Sequence, residues 1–331
     1  MAQPDIRATI VAGPLQNVSV AYRNAEYVGD RVFPIIDVND PKALITLYPR
    51  GAWFRDEAGI RGPGGRAPRG GFPLSTATVN TKEYAFAKEV TVEDRRFARL
   101  QSSAPIQPEQ DAVEFASDKI DLSKERRIWA LIKATDWSGA GAGGEDANGL
   151  WAPNDGTNTF VSDVETRIET IRSAIGRRPN VLLVSGNTFA KLRQITAVQA
   201  RIAYVERAII SPNVIAALFG LEECLVAGAI YSSAAEKKDG TDFTSVNIWE
   251  HNAGKGAAFL FYRPPTVGLK TPMVGCQVRL RYSPEEGGNV RRISTWYESA
   301  EHQDVFEVAE ETDIVATGTA GAFQWKDTIS D

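Results

Sequence analysis

The chain predicts an α+β fold, and three features carry that expectation. A helical period persists over roughly 25 residues in the first half. Strand-type runs precede it, and the last third is almost entirely strand-like. Helices and strands segregated along the chain in this way favour α+β over an alternating α/β order.

Taken in order, residues 1–38 hold scattered apolar positions (Ile10, Val11, Val18, Val20, Val28, Val32) among Gly, Pro and Asn, with no sustained period. Such a segment buries too little surface to order alone, so an extended arm that lies on another surface is expected. Residues 43–48 read as a strand, with Trp53 and Phe54 just beyond. Residues 82–92 read as its partner, since Tyr84, Phe86, Val90 and Val92 share one parity. Between them, residues 55–73 are dominated by Gly and Pro and punctuated by Arg55, Arg61, Arg66 and Arg69. A connection this long is usually functional or disordered. It predicts a two-stranded projection whose tip orders against something else.

Beyond Pro105 and Pro108 the period becomes helical: Val113, Ala116, Ile120, Ile128, Leu131 and Ile132 share one face. Glycines at 139–144 end that helix as a connector. A second helix is expected from Ser162 as N-cap, with Glu165 three residues on, and it stops near Gly176 and Pro179. Residues 181–184 form a short buried strand, and Ser185, Gly186 and Asn187 turn the chain into a third helix over 188–195. The strands expected afterwards are 225–231, 246–250, 257–262, 277–282, 290–297 and 305–308.

Bulk properties narrow the function. The 331 residues suggest about two domains. A net charge of −5 argues against a protein devoted to gripping phosphates, which needs clustered Lys and Arg. No apolar run approaches the roughly 20 residues of a membrane span, and the first residues lack the layout of a secretory signal. Cytoplasmic synthesis is the expectation, with Cys224 and Cys276 as buried free thiols.

Catalytic constellations are missing: no phosphate-binding loop of the Gly-x-x-x-x-Gly-Lys-Ser/Thr type, no Gly-x-Ser-x-Gly, no His-Glu-x-x-His, no Cys-x-x-Cys. His251 and His302 lack partner motifs and read as solvated polar residues. The glycines at 62–65 lack the lysine and following helix of a phosphate cradle, and Ser185 reads as a cap or turn residue. The carboxylates Glu298, Glu301, Asp304, Glu307, Glu310, Glu311 and Asp313 lack the spacing of a calcium loop. They read as a solvated acidic face, with a second reading as a partner for the loop arginines of another subunit. No catalytic residue, cofactor or metal is expected.

The order of parts resembles the major capsid proteins of tailed double-stranded DNA bacteriophages, whose shell fold is named after the Hong Kong 97 phage. The arm, the long hairpin with its Gly-rich tip, the long helix after a Pro-containing segment, the α/β portion and the late strands follow that order. Two local phrases are also similar: the strand, polar turn and helix of residues 180–193, and the late strand of residues 290–298.

The resemblance implies an N-terminal arm over 1–38 and an extended loop over 39–98. It implies a peripheral domain over 99–156 and 266–331 with a long spine helix, and an axial domain over 157–265. It also implies a non-enzymatic subunit that self-assembles into hexamers and pentamers of an icosahedral head. The inter-subunit contacts would include Trp53, Phe54, Arg55, Arg61, Arg66 and Arg69 on one side and Glu307, Glu310 and Glu311 on the other. Expected partners are further copies of itself, a separate scaffolding protein, a portal, a decoration protein, and packaged DNA through weak non-specific contact. Some relatives cross-link through a lysine in the loop; here the tip carries only arginines, with Lys82 near its base. The alternatives are another virion component (tail tube or decoration protein) and a cytoplasmic hydrolase using carboxylates.

Overall fold

The computed structural model describes residues 24, 27–100, 107–153, 157–202, 210–235, 242–268, 270–282 and 290–329. In chain order the first elements are α1 (Gly29–Val32), β1 (Ile35–Val38), β2 (Lys42–Leu47), α2 (Arg50–Trp53), β3 (Ser75–Asn80), β4 (Lys82–Thr91) and α3 (Val92–Leu100). The long helix α4 (Pro108–Ala134), β5 (Glu145–Asp146), α5 (Phe160–Ile175), β6 (Val181–Ser185), α6 (Gly186–Leu192), α7 (Thr196–Ile202) and α8 (Pro212–Phe219) follow. The chain then runs through β7 (Glu223–Ala227), β8 (Ile230–Ser232), β9 (Ser245–Asn247), β10 (Ala257–Phe261), β11 (Gly275–Leu280), β12 (Arg291–Glu298), β13 (Gln303–Ala316) and β14 (Ala322–Lys326).

These elements make two five-stranded sheets that share one helix. The second sheet, ordered β5-β14-β10-β6-β7, is covered on both faces. Its strands alternate with period two: Leu182, Val184, Ala258, Leu260, Phe323 and Trp325 enter a core with α5 and α8. Val181, Leu183, Ala257, Phe259 and Phe261 enter another with Val32, Phe33, Ile128, Trp129 and Ile132. Two buried faces explain why β6 and β10 read as unbroken apolar runs. Leu260 is fully buried, so Leu260→Ala is expected to cost about 3 kcal/mol, read as a lower denaturant midpoint with unchanged m-value.

The first sheet is organised by the 14-residue β13. Its Gln303–Thr312 stretch pairs with β4 along one edge. Along the other edge β12 pairs with Gln303 to Glu310 and β11 with Thr312 to Ala316, end to end. Helix α4 has 27 residues and spans about 40 Å. Its front half packs Ala116 and Ile120 on Val308 and Phe86 of this sheet, and its rear half joins the second sheet's core. One helix therefore ties both sheets together.

Several expectations need correction. Residues 27–38 are not a free arm. Val28, Val32 and Phe33 are buried, and β1 adds to β11 in parallel. Glu125 of α4 accepts from the amides of Val28 at 2.9 Å and Gly29 at 2.7 Å and from Trp249 Nε1 at 2.7 Å. Gln277 donates to the Gly29 and Phe33 carbonyls, and Lys124 pairs with Asp30 at 2.9 Å. Further back, the Asn24 side-chain amide donates to Ile230 O and accepts from Ile230 N. Of the arm expected over residues 1–38, residues 1–23, 25 and 26 lie outside the described residues.

The hairpin partner of β2 is β3, not residues 82–92. The chain turns at Thr81, whose amide bonds Pro41 O, and β4 departs along β13, where Phe86 and Val90 find cover. Val79 anchors the hairpin on Cys276 and Val278 of β11. Helix α5 begins at Phe160 with Thr159 as N-cap; Ser162 lies inside it and donates to Thr159 O. Helices α3, α7 and α8 and strands β1, β3 and β14 were not anticipated. β14 returns to the second sheet, pairing with β10.

Candidate assembly surfaces

The connection between β2 and β3 is the most exposed part of the described structure. Every residue from 53 to 76 is exposed, Ile60 completely so. The loop has a fixed root and a free outer part. At the root Tyr48, Trp53 and Phe72 form a ring cluster with centroids 5.7–6.3 Å apart. Lys270 Nζ stands 5.6 Å from both the Tyr48 and the Trp53 ring. Arg50 Nη1 donates to Ala174 O at 3.1 Å, where a cation meets the carbonyl end of α5. Phe54 lies over Gly176, where an added Cβ would come within 3.0 Å of its ring. Gly176 also holds φ at +70°, a conformation that glycine adopts without strain. Each exposed cation–aromatic contact is worth about 0.5–1 kcal/mol, so the root is held modestly.

Beyond the root, Gly65 donates to Gly62 O in a turn with Gly64 at φ +75°. No helix follows this turn, so its amides converge on nothing resembling a phosphate cradle. Arg61, Arg66 and Arg69 are exposed there, and Arg55 reaches Glu57 at 3.3 Å. Trp53 and Phe54, expected beside the arginines as contact residues, thus belong to the root. The four arginines lie farther out.

The acidic run starts at the end of β12 (Glu298), passes through the turn (Glu301) and continues along β13, and it is not a uniformly solvated face. Register decides where each carboxylate points. Phe86 and Val308 face α4, and Glu310 shares their side. It is 2% exposed and accepts from Arg291 Nε at 2.8 Å, while Arg291 also pairs with Asp121 of α4. That burial withdraws Glu310 from any surface open to a neighbour. Arg127 of α4 completes this buried polar layer, bonding Thr312 at 3.0 Å and stacking on Tyr84 at 3.5 Å.

The opposite face carries Glu307 and Glu311, together with Glu83 and Glu89 of β4. Arg292 of β12 bridges Glu83 at 2.7 Å and Glu307 at 3.7 Å, and Glu311 accepts from Thr81. The apolar parity of β4 masks Glu83 and Glu89 in the sequence, where their alternation with Tyr84, Phe86 and Lys88 is the signal for them. β12 borders this face as an edge strand with Ile293, Trp296 and Tyr297 exposed.

Several groups with catalytic chemistry are buried or engaged by structural partners. Among the described residues no group of His, Cys, Asp and Glu could hold a metal ion, and no helix is long and apolar enough to cross a membrane. Ser185 caps α6, accepting from the Thr188 amide. Burial pushes the Cys224 thiol up to about 12 and the Cys276 thiol up to about 11. His302 sits in the turn before β13 near the Tyr297 hydroxyl.

His251 is not the solvated residue expected: Gln324 Nε2 donates to its Nε2 at 2.8 Å, and Trp129 packs edge-on at 5.2 Å. Burial, then Lys133, lowers its pKa from 6.5 to about 4. Between those values the unfolded chain takes up a proton that the folded chain refuses. The His251 contribution is therefore complete above pH 6.5 and declines as pH falls towards 4. His251→Gln is expected to flatten that limb of a stability–pH curve, and an NMR titration should place the wild-type imidazole near 4.

A spine helix shared by two sheets, a strapped N-terminal entry and a long exposed hairpin define the architecture. The chain has the Hong Kong 97 fold of tailed-phage capsid proteins. In sequence it is similar to the major capsid protein of Burkholderia phage BcepMu, 24% identical over 241 residues that cover 72% of this chain and 75% of that one. In structure it is similar to a phage-related protein of Bordetella bronchiseptica RB50 (TM-score 0.65, 17% identity, 94% of each chain). The capsid of Cyanophage P-SCSP1u is also similar, with TM-score 0.59, 11% identity and coverage of 97% and 93%. No family model matches the chain.

Proposed function

We propose that this chain is the shell-forming subunit of a tailed-phage head, assembling into hexamers and pentamers that enclose double-stranded DNA. One observation carries the reading on this fold: residues 53–76 expose Trp53, Phe54, Ile60, Phe72 and Leu74 on a projection that the subunit itself leaves uncovered. Exposed apolar groups on an extended loop mark a contact surface. A projection on one side and a receiving surface on another make a heterologous contact, the kind that closes into rings.

The receiving surface is the sheet face bearing Glu83, Glu89, Glu307 and Glu311. Arg55, Arg61, Arg66 and Arg69 of the incoming loop complement it in charge. Such rim charges set register and encounter rate more than affinity. Reversing Glu83 and Glu307 to lysine is expected to slow assembly, followed by light scattering, most strongly at low salt. Reversing Arg61, Arg66 and Arg69 to glutamate in the same chain should recover much of the rate.

The role is structural, without catalysis or a cofactor. The arm, loop, peripheral and axial divisions drawn from the sequence remain the working domain scheme, with the arm's root held within the subunit. Assembly in the host cytoplasm would involve a separate scaffolding protein and a portal, with a decoration protein as a further partner. A weakly acidic chain touches packaged DNA only through local, non-specific contacts. Negative-stain electron microscopy of the purified protein, alone and with the products of neighbouring genes, tests this proposal. Closed shells or six- and five-membered rings are expected; particles of a single monomer under every condition would contradict it.

A further inference from the structure

The chain has two attachments that differ in kind. The strap through Val28 and Gly29 is welded by buried hydrogen bonds to Glu125. The loop root is held by largely exposed contacts: Lys270 against Tyr48 and Trp53, Arg50 on the last turn of α5, and Phe54 over Gly176. Lys270 reaches its place from a left-handed backbone conformation, φ +62°, in the connection between β10 and β11. For a residue other than glycine that conformation is uncommon and needs support from its surroundings.

We infer that Lys270 and Arg50 form a positioning joint that aims the loop from the body of its own subunit. The joint sits at the base of the projection and leaves the tip untouched. Trp53, Phe54 and Phe72 remain 53%, 64% and 46% exposed within it, so it directs these rings without hiding them. A loop held at its root presents its tip in fewer directions, which lowers the ordering cost of docking it on another copy. This inference builds on the shell reading, but the joint itself exists in the isolated subunit and can be measured there.

The test places spin labels on cysteines introduced at Ile60 and Ser173, both exposed, in the full chain; Cys224 and Cys276 are buried away from the reagent. Lys270→Met keeps an unbranched apolar stem and removes the charge, and Arg50→Gln removes the other cation. The wild-type chain, with its root aimed but residues 55–73 still unordered, is expected to give a narrower distance distribution than either variant. Each variant should broaden it at unchanged melting temperature, and the threshold concentration for assembly should rise about three- to tenfold, as the loss of one or two exposed contacts gives. Equally narrow distributions in variants and wild type would overturn the joint. Broadening with an unchanged threshold would overturn its role in aiming the loop. Failure of the wild-type chain to assemble under any condition would count against the shell reading, while the distance measurement would still decide the joint.

Discussion

Glu125→Ala is expected to lower the stability of the isolated subunit by about 3 kcal/mol, because it strands the buried amides of Val28 and Gly29 and the indole N–H of Trp249 at once. The loss would appear as a lower denaturant midpoint and as faster amide exchange at Val28 and Gly29. Gly29→Ala should act in the same direction, since an added Cβ would come within 2.5 Å of Glu125 Oε2 and 2.6 Å of Ile128 Cδ1. Glu125→Gln is the milder change, keeping one acceptor oxygen and removing the charge.

Burial, opposed by the three hydrogen bonds, raises the Glu125 carboxyl above its ordinary 4.5. The folded state therefore favours the protonated form. Its advantage relative to Glu125→Gln is greatest below pH 4.5 and declines as pH rises through the raised folded value. A pH series of denaturation curves on the two proteins reads this directly. An advantage that grew with pH would contradict the burial argument.

Replacing residues 57–70 by a short Gly-Ser turn is expected to have the opposite profile. Those residues lie outside every buried cluster of the described structure, so the melting temperature should stay within a degree or two of the wild type. Assembly should be abolished, because the exposed tip with Arg61, Arg66 and Arg69 is gone. Sedimentation velocity on the variant, at concentrations where the wild-type chain forms shells, distinguishes a folded subunit that cannot associate from one that never needed the loop.

The elements legible from sequence were those whose partners do not matter. Helix α4 shows its period because a helix covered along one stripe must repeat its apolar residues every three or four positions. Strands β6 and β10 show as apolar runs because helices cover both of their faces. Strand β13 was legible only over 305–308, since its later residues are carboxylates whose placement depends on Arg291, Thr81 and the Asn80 amide. Strand β3 was invisible for a related reason: Ser75, Thr76 and Thr78 surround Ala77 and Val79, and only Val79 is buried. The strap hid in an apparently aperiodic segment because Val28, Val32 and Phe33 are paired to a helix about a hundred residues away.

The candidate surfaces were half legible. Gly, Pro and Arg mark the loop by composition alone. Which carboxylates face outward depends on the register of β13 against β4, and that is set by Phe86 and Val308 meeting α4. Without that register, Glu310 looked equivalent to Glu307 and Glu311, although one residue's difference in parity puts it inside.

On the proposed shell reading, residues 55–73 become ordered only against a second copy of the chain. Hydrogen–deuterium exchange measured on the dilute subunit and on assembled particles tests it most directly. Unprotected amides are expected across 55–73 in the free subunit and strong protection after assembly, with Val28 and Gly29 protected in both states. Protection of the loop at high dilution, or its absence in finished particles, would overturn the shell reading.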